Sequence, residues 1–324
     1  MPYSRATRGS VANSTSEQRS SHRAAVGDVA VAAVLFGTTG TAQALGPSGT
    51  TPLTVGAARI VIGGGALVVI ALRRGLRASL KAVVRSPAGL LAGACTAIYQ
   101  LLFFVGTARA GVAIATVITI GSAPVMTGLL GVVFLGYRVS RVWMLSTAIA
   151  VTGLVLLAAG GSSGGEANVW GLLAALGSGA GYAGYTLAGK FLIDTGVDSL
   201  AVMAASFGLG GVILLPVLVF GGSAWLATGS GLALALYLGL VPTAAAYIFY
   251  GKGLAVLPAN TVATLVLIEP VVATLLAVVV VGERLTPLAW VGIALVLFAI
   301  SIIARASMAP VRLIPSGGRT GSPA

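Results

Sequence analysis

The chain has 324 residues, of which 57% are apolar and only 8% charged, with a mean hydropathy of +1.03 and a formal charge of +12. Soluble domains carry about 25% charged residues, so this composition excludes an ordinary soluble enzyme or binding domain and points to a membrane protein. The basic residues are spread over loops with no folded basic domain to hold them, so the expected partners are the lipid bilayer and a small-molecule solute, with no nucleic acid.

Residues 1–25, rich in Ser, Arg, Ala and Thr, cannot bury a core and are expected to form a flexible tail. A helix needs about 20 apolar residues to cross the hydrocarbon core, and ten such segments follow. The first, 27–45, carries Thr38, Thr41 and Gln43, with Asp28 at its start as a helix N-terminal acid. The second, 53–72, contains Gly63-Gly64-Gly65 and places Arg59 about 9 Å from its outer end at 1.5 Å per residue. Arg73, Arg74, Arg77, Lys81 and Arg85 crowd the loop that runs to residue 86. The third span, 87–106, presents Thr96, Tyr99 and Phe103. The fourth, 111–134, contains Pro124, and the fifth is 142–159. Outer-membrane strands would alternate apolar and polar residues; these runs do not, so the spans are helices.

In the sixth span, 169–191, Ser178, Tyr182 and Tyr185 share one helical face, and in the eighth, 231–251, Thr243, Tyr247 and Tyr250 repeat that spacing. Between them lies the seventh span, 199–221. Lys190 and Lys252 read as anchors at span ends, and Asp194 and Asp198 as loop residues without a visible partner. The ninth span, 257–281, holds Glu269-Pro270, and the tenth is 287–305. Residues 306–324, rich in Pro, Gly and Ser, form a second expected tail. With a cytoplasmic N-terminus, all of the 19 Lys and Arg residues except Arg59, Arg109 and Arg284 fall on the cytoplasmic side. That bias predicts ten spans in the plasma membrane, both termini cytoplasmic, and the 160–168 and 282–286 turns outside.

Sliding the chain so that Pro124 falls on Pro270 also sets Leu129-Leu130 on Leu275-Leu276, Val132-Val133 on Val278-Val279, and Gly136-x-Arg138 on Gly282-x-Arg284. The chain therefore divides into repeats at 26–160 and 161–305, each with five spans, and an odd number inverts the second half. The expected fold is an all-α membrane protein of ten transmembrane helices in two inverted-topology repeats of five, a construction of many secondary transporters. Ala42-Gln43-Ala44 has the form of a signal cleavage site, but loss of the first span would unbalance the halves. Pro124 and Pro270 are expected to kink their helices, each freeing the carbonyl four residues earlier, at Ile120 or Val266.

The mid-span proline, the turn Gly282-Glu283-Arg284-Leu285-Thr286 and the final apolar span resemble the EamA family of the drug/metabolite transporter superfamily. So do Leu35-Phe36-Gly37-Thr38-Thr39-Gly40, Ala57-Ala58-Arg59-Ile60 and the Gly-Tyr-Ala-Gly-Tyr-Thr-Leu-Ala-Gly-Lys run ending at Lys190. The resemblance covers about residues 27–305 and implies a ten-helix inverted-repeat carrier that exports amino acids, related metabolites or drugs. One departure is Gly136-Tyr137-Arg138 in the first repeat where the second has Gly282-Glu283-Arg284.

Deep hydroxyls need partners, so Tyr182, Tyr185 and Tyr247, with Tyr99, Thr38 and Gln43, are the candidates for a substrate path. Arg59 is read as a structural charge. Glu269 lies about 18 Å from either end of its span, where an ionised group costs roughly 2.5–3.5 kcal/mol, so it should face protein or water. It either ties the Pro270 kink to a neighbouring helix or binds a proton or a cationic group of the solute. An enzyme is excluded: the single histidine, His22, is in the tail, no intramembrane aspartate pair exists, and no phosphate-binding GxxxxGK[ST] loop is present. No cofactor or metal is expected. The reading is a secondary transporter working by alternating access, with a solute channel or a non-transporting receptor or scaffold as alternatives.

Overall fold

Backbone groups in hydrocarbon must be satisfied within their own segment, which favours helix. The computed structural model describes residues 4–160, 168–282 and 284–308, and among these there are helices and short connections but no strand. In chain order they are α1 (Ser4–Ala44), α2 (Pro52–Arg73), the short α3 (Arg77–Arg85), α4 (Pro87–Ala110), α5 (Val112–Leu135), α6 (Arg141–Ala159), α7 (Val169–Asp194) and α8 (Ser199–Phe220). Then come α9 (Gly229–Gly239), α10 (Ala246–Val256), α11 (Ala259–Leu265), α12 (Ile268–Leu276) and α13 (Pro287–Met308). Nine segments among the described residues are long and apolar enough to cross a membrane. Helix α7, at 26 residues, has the length, but its glycines, tyrosines, Lys190 and Asp194 lower its apolarity.

Several boundaries are set by side-chain caps. Thr51, Ser86, Ser140, Asn168 and Thr228 each accept a hydrogen bond from a first-turn amide of the helix they precede, and Pro52 and Pro87 occupy first-turn positions where no amide is needed. Asp198, expected to be without a partner, caps α8 by accepting from Leu200 N at 2.9 Å and Ala201 N at 3.2 Å.

Four features differ from the sequence expectation. Residues 4–25 are helical and continue into the first span, whose apolar segment is Glu17–Ala44; no proline interrupts them, and a helix that is already nucleated extends readily. Asp28 accordingly lies inside α1 rather than at its start. The 73–86 loop contains α3, which buries Leu80 and Val83 while Arg77, Lys81 and Arg85 stay exposed. The eighth and ninth spans are not continuous α-helices: α9 passes into α10 through a wide turn at 240–245, and α11 is broken from α12 at 266–267. Residues 161–167 of the expected outer turn, Glu283 and the tail from residue 309 lie outside the described residues.

Helix α2 packs on α8, α6 on α13, α7 on both α4 and α5, and α1 on both α10 and α12. Lipid gives no hydrophobic drive between helices, so close approach depends on small residues. A Cβ at Gly292 would lie 2.5 Å from the Gly153 carbonyl oxygen, and one at Gly153 would lie 2.8 Å from that of Gly292. The GxxxG pair Gly177 and Gly181 does the same for α7 on α4, Gly181 meeting the Tyr99 backbone. Large apolar residues such as Phe134, Phe220 and Val279 lie on the outer surface, as lipid contact requires.

Candidate functional site

The ninth span is interrupted where Glu269 sits. Pro270 has no amide hydrogen for the carbonyl four residues earlier, and that carbonyl, of Val266, instead accepts from Glu269 N at 2.8 Å. Leu267 N donates to Thr264 O at 3.1 Å, so tightened turns close α11 and open α12. The carbonyl expected to be free is thus satisfied by the glutamate's own amide. Glu269 falls in the first turn of α12, where the helix dipole favours a negative charge. Pro242 meets the same difficulty differently: the Thr243 hydroxyl donates to Leu238 O, four residues before the proline, at 2.8 Å. Pro124 lies inside α5, which runs through it without a break.

A cavity opens beside this break. It is lined by Tyr99 of α4, Thr119, Ile120 and Ala123 of α5, Tyr182 of α7, and Ala263, Val266 and Glu269 of the ninth span. Its volume is about 20 Å³, close to the room one water needs, so a metabolite would enter only after the surrounding helices part. Interhelical hydrogen bonds hold the walls. The Ser178 hydroxyl donates to Tyr99 O at 2.9 Å, and the Thr119 hydroxyl to Ala175 O at 3.0 Å. On the far side of the ninth span, the Trp143 indole N–H of α6 is shared between Asn260 O and Thr264 Oγ1, each at 3.1 Å. Thr147 reaches the same Thr264 hydroxyl at 3.1 Å, so α11 is moored to α6 just before the break.

The tyrosines separate into two roles. Tyr99 and Tyr182 line the cavity and meet edge to face, with ring centroids 6.0 Å apart. Tyr185 and Tyr247, expected in the same path, are fully buried, and their hydroxyls bond each other at 2.9 Å. Tyr250 extends the cluster, accepting from Tyr182 at 3.2 Å and pairing with Thr186 at 2.8 Å. Phe36 and Phe207 pack against Tyr247. The hydroxyls of Tyr185, Tyr247 and Tyr250 are therefore already occupied, and those rings form a buttress behind the cavity.

Thr38 and Gln43 are not among the residues brought to the cavity; the Thr38 hydroxyl donates to Leu35 O at 2.8 Å in its own helix. Arg59 is half-buried, and its Nε is buried with no hydrogen-bond partner among the described residues. Its neighbours on α2 pack on α4 and on the α9–α10 turn, Gly56 against Phe104 and Gln100 and Gly63 against Thr243, and Arg59 is not among the residues that line the cavity. Lys190, by contrast, is paired: its Nζ lies 2.8 Å from Asp194, giving that aspartate the partner it was expected to lack. Thr119, Ile120, Ala123, Ala263 and Val266 were not foreseen as lining residues. The repeat offers a signal for some of them, since the register that sets Pro124 on Pro270 also sets Ile120 on Val266 and Ala123 on Glu269.

Comparison with known proteins agrees with this architecture. The model of the EamA-like transporter family matches twice, at residues 26–159 and 169–305. The chain is 42% identical to the uncharacterized transporter YwfM of Bacillus subtilis (strain 168), over 86% of this chain and 93% of that one. It is 34% identical to a probable terminal-alkyne amino-acid exporter of Streptantibioticus cattleyicolor, over 68% of this chain and 73% of that one. A protein crystal structure shares the fold at 22% identity and a TM-score of 0.72, covering 87% of this chain and 97% of that chain. The chain belongs to the EamA-like transporter family of the drug/metabolite transporter superfamily, and it is a multi-pass membrane protein rather than an enzyme.

Proposed function

We propose that the chain is a secondary carrier that exports small metabolites, amino acids or their relatives among them, across the plasma membrane by alternating access. The observation that carries this reading is the cavity beside the broken ninth span, where matched positions of the two halves, Ile120 with Val266 and Ala123 with Glu269, face one space. Carrier sites of inverted-repeat transporters form near the midplane between the halves, at interrupted helices. The name of the S. cattleyicolor relative, an amino-acid exporter, favours that solute class.

Ten spans in two inverted repeats of five are supported by the double family match and by the packing. Counting α9–α10 and α11–α12 as one span each, α4 against α7 corresponds to α10 against α1, and α5 against α7 corresponds to α12 against α1. The pairs α2 with α8 and α6 with α13 each join equivalent spans of the two halves. Cytoplasmic termini follow from the basic bias. Glu269 is the one titratable carboxyl in the cavity wall, so a proton is the candidate coupling ion.

The test is metabolite profiling of cells with and without the protein, followed by counterflow in proteoliposomes with the solutes whose distribution changes. Saturable flux with counterflow is the expected result; unitary currents, or no change in any solute, would overturn the carrier.

A further inference from the structure

Far from the cavity, the connection between the second and third spans carries a basic surface that transport of a solute does not use. Arg73, Arg74, Arg77, Lys81 and Arg85 are all exposed where α2 passes through α3 into α4. No Asp or Glu occurs in the sequence between Asp28 and Glu166, and the ion pair formed among the described residues joins Lys190 to Asp194 instead. Helix α3 packs on α8 and α4. The acid that precedes α8, Asp198, is taken up as that helix's cap.

Both ends of α3 are fixed. Gly75, at φ +77°, ends α2 in the left-handed conformation, and Leu76 N donates to Ala71 O at 3.0 Å across the turn. At the other end the Ser86 hydroxyl donates to Val83 O at 2.8 Å and accepts from Gly89 N at 3.0 Å, so α4 starts at once. Leu80 and Val83 are buried and Leu76 packs against the core. Arg77, Lys81 and Arg85, each four residues from the next, line another face in a row about 12 Å long. Leu72, Leu90 and Leu91, on the two spans that α3 joins, are exposed apolar residues, as is Val84 beside the row. Acyl chains therefore reach both ends of α3, and the basic row stands at the level of the lipid headgroups.

Left to itself the row is unfavourable. Like charges four residues apart weaken a helix, and Arg77 opens α3, where the helix dipole disfavours a cation. An anion along the row relieves both repulsions. A guanidinium holds a phosphate through two parallel hydrogen bonds, and an ammonium group adds a point charge. Basic clusters on an amphipathic helix beside a span attract anionic lipid of the cytoplasmic leaflet, the leaflet that the proposed orientation gives α3. A free phosphate would make no use of the apolar flank.

We propose that α3 is a binding site for an anionic phospholipid, its headgroup phosphate held by Arg77, Lys81 and Arg85 with Arg73 and Arg74 beside them, and its acyl chains lying against the exposed leucines of α2 and α4. The site is separate from the solute cavity, so it stands or falls independently of what the chain carries.

The test uses the full chain in micelles of a neutral detergent, titrated with palmitoyl-oleoyl phosphatidylglycerol or with the matching phosphatidylcholine, bound lipid being counted by native mass spectrometry. The expected result is tighter binding of phosphatidylglycerol. Replacing Arg77, Lys81 and Arg85 together by Gln should lower that affinity at least about fivefold, the effect of one basic residue near an anionic surface, and leave phosphatidylcholine unchanged. Arg138→Gln with Arg141→Gln, in another exposed basic turn, should keep the preference. Equal binding of the two lipids, a preference that survives the triple replacement, or an equal loss in the Arg138 and Arg141 variant would overturn the site. Displacement of phosphatidylglycerol by equimolar inorganic phosphate would also overturn it, in favour of a soluble anion. If the triple variant does not elute as folded protein, Lys81→Gln alone decides, with a loss of about fivefold expected and an unchanged affinity refuting the proposal.

Discussion

The hydroxyl pair of Tyr185 and Tyr247 gives a sharp test of the buttress behind the cavity. Both rings are buried, at 0% and 2% exposure, and the two oxygens lie 2.9 Å apart. Tyr185→Phe keeps the ring, whose centroid sits 6.2 Å from that of Tyr247, and deletes only the oxygen. The Tyr247 hydroxyl then has no other bonded partner among the described residues and no route to water. A buried polar group left in that state costs about 1–3 kcal/mol in soluble proteins. Interhelical hydrogen bonds measured within a bilayer average about 0.6 kcal/mol and reach about 1.7, because the unfolded chain in lipid also finds partners. The two ranges overlap near 1 kcal/mol, which is the expected loss for Tyr185→Phe or Tyr247→Phe alone. The double variant removes both hydroxyls and leaves no orphan, so its loss should fall short of the sum of the singles by about 0.6–1.7 kcal/mol. Reversible unfolding of the purified protein in mixed detergent micelles measures all three. Strict additivity would refute the claim that these hydroxyls satisfy each other.

Other expectations follow from the same geometry. Tyr182→Phe should cost less than Tyr185→Phe, because Tyr250 retains its 2.8 Å partner Thr186; equal losses in the same assay would contradict this. Gly292→Leu drives a side chain into the Gly153 carbonyl, 2.5 Å from the new Cβ, and should abolish folded protein on size-exclusion analysis, whereas Gly65→Leu, which meets open space, should elute like the unaltered chain. Glu269→Gln removes the cavity's titratable carboxyl, so any dependence of transport on pH between roughly pH 5.5 and 8 should flatten; a profile unchanged from the original would assign Glu269 a structural role. Asp194→Asn breaks an ion pair whose acid side is 48% exposed, so its loss should stay within about 1 kcal/mol; a larger loss would mean the pair is more deeply engaged. Single cysteines in the 73–86 loop, placed in a Cys95→Ser background, should resist an impermeant thiol reagent in intact cells, and labelling there would reverse the topology.

Hydropathy and the placement of basic residues are one-dimensional properties, and they made the membrane class, the span positions and the expected orientation legible from the chain alone. The internal similarity that sets Pro124 on Pro270 was legible in the same one-dimensional way, and the family model matches the chain twice, once on either side of residue 160. The side chain that a helix turns toward a cavity depends on how far it rotates against its neighbours, and small interhelical contacts such as Gly181 on Tyr99 set that rotation. Only tertiary structure therefore divided the tyrosines, sending Tyr99 and Tyr182 to the cavity and closing Tyr185 on Tyr247. Thr119, Ala123 and Ala263 are short neutral side chains with no composition signal, and they became lining residues because the helices bearing them meet at the break. The break itself had a visible proline but no visible resolution. Whether a freed carbonyl is met by a hydroxyl, as at Thr243, or by a tightened turn, as at Glu269, is decided by the local three-dimensional path of the backbone, and that path puts the glutamate at the start of a new helix beside the cavity.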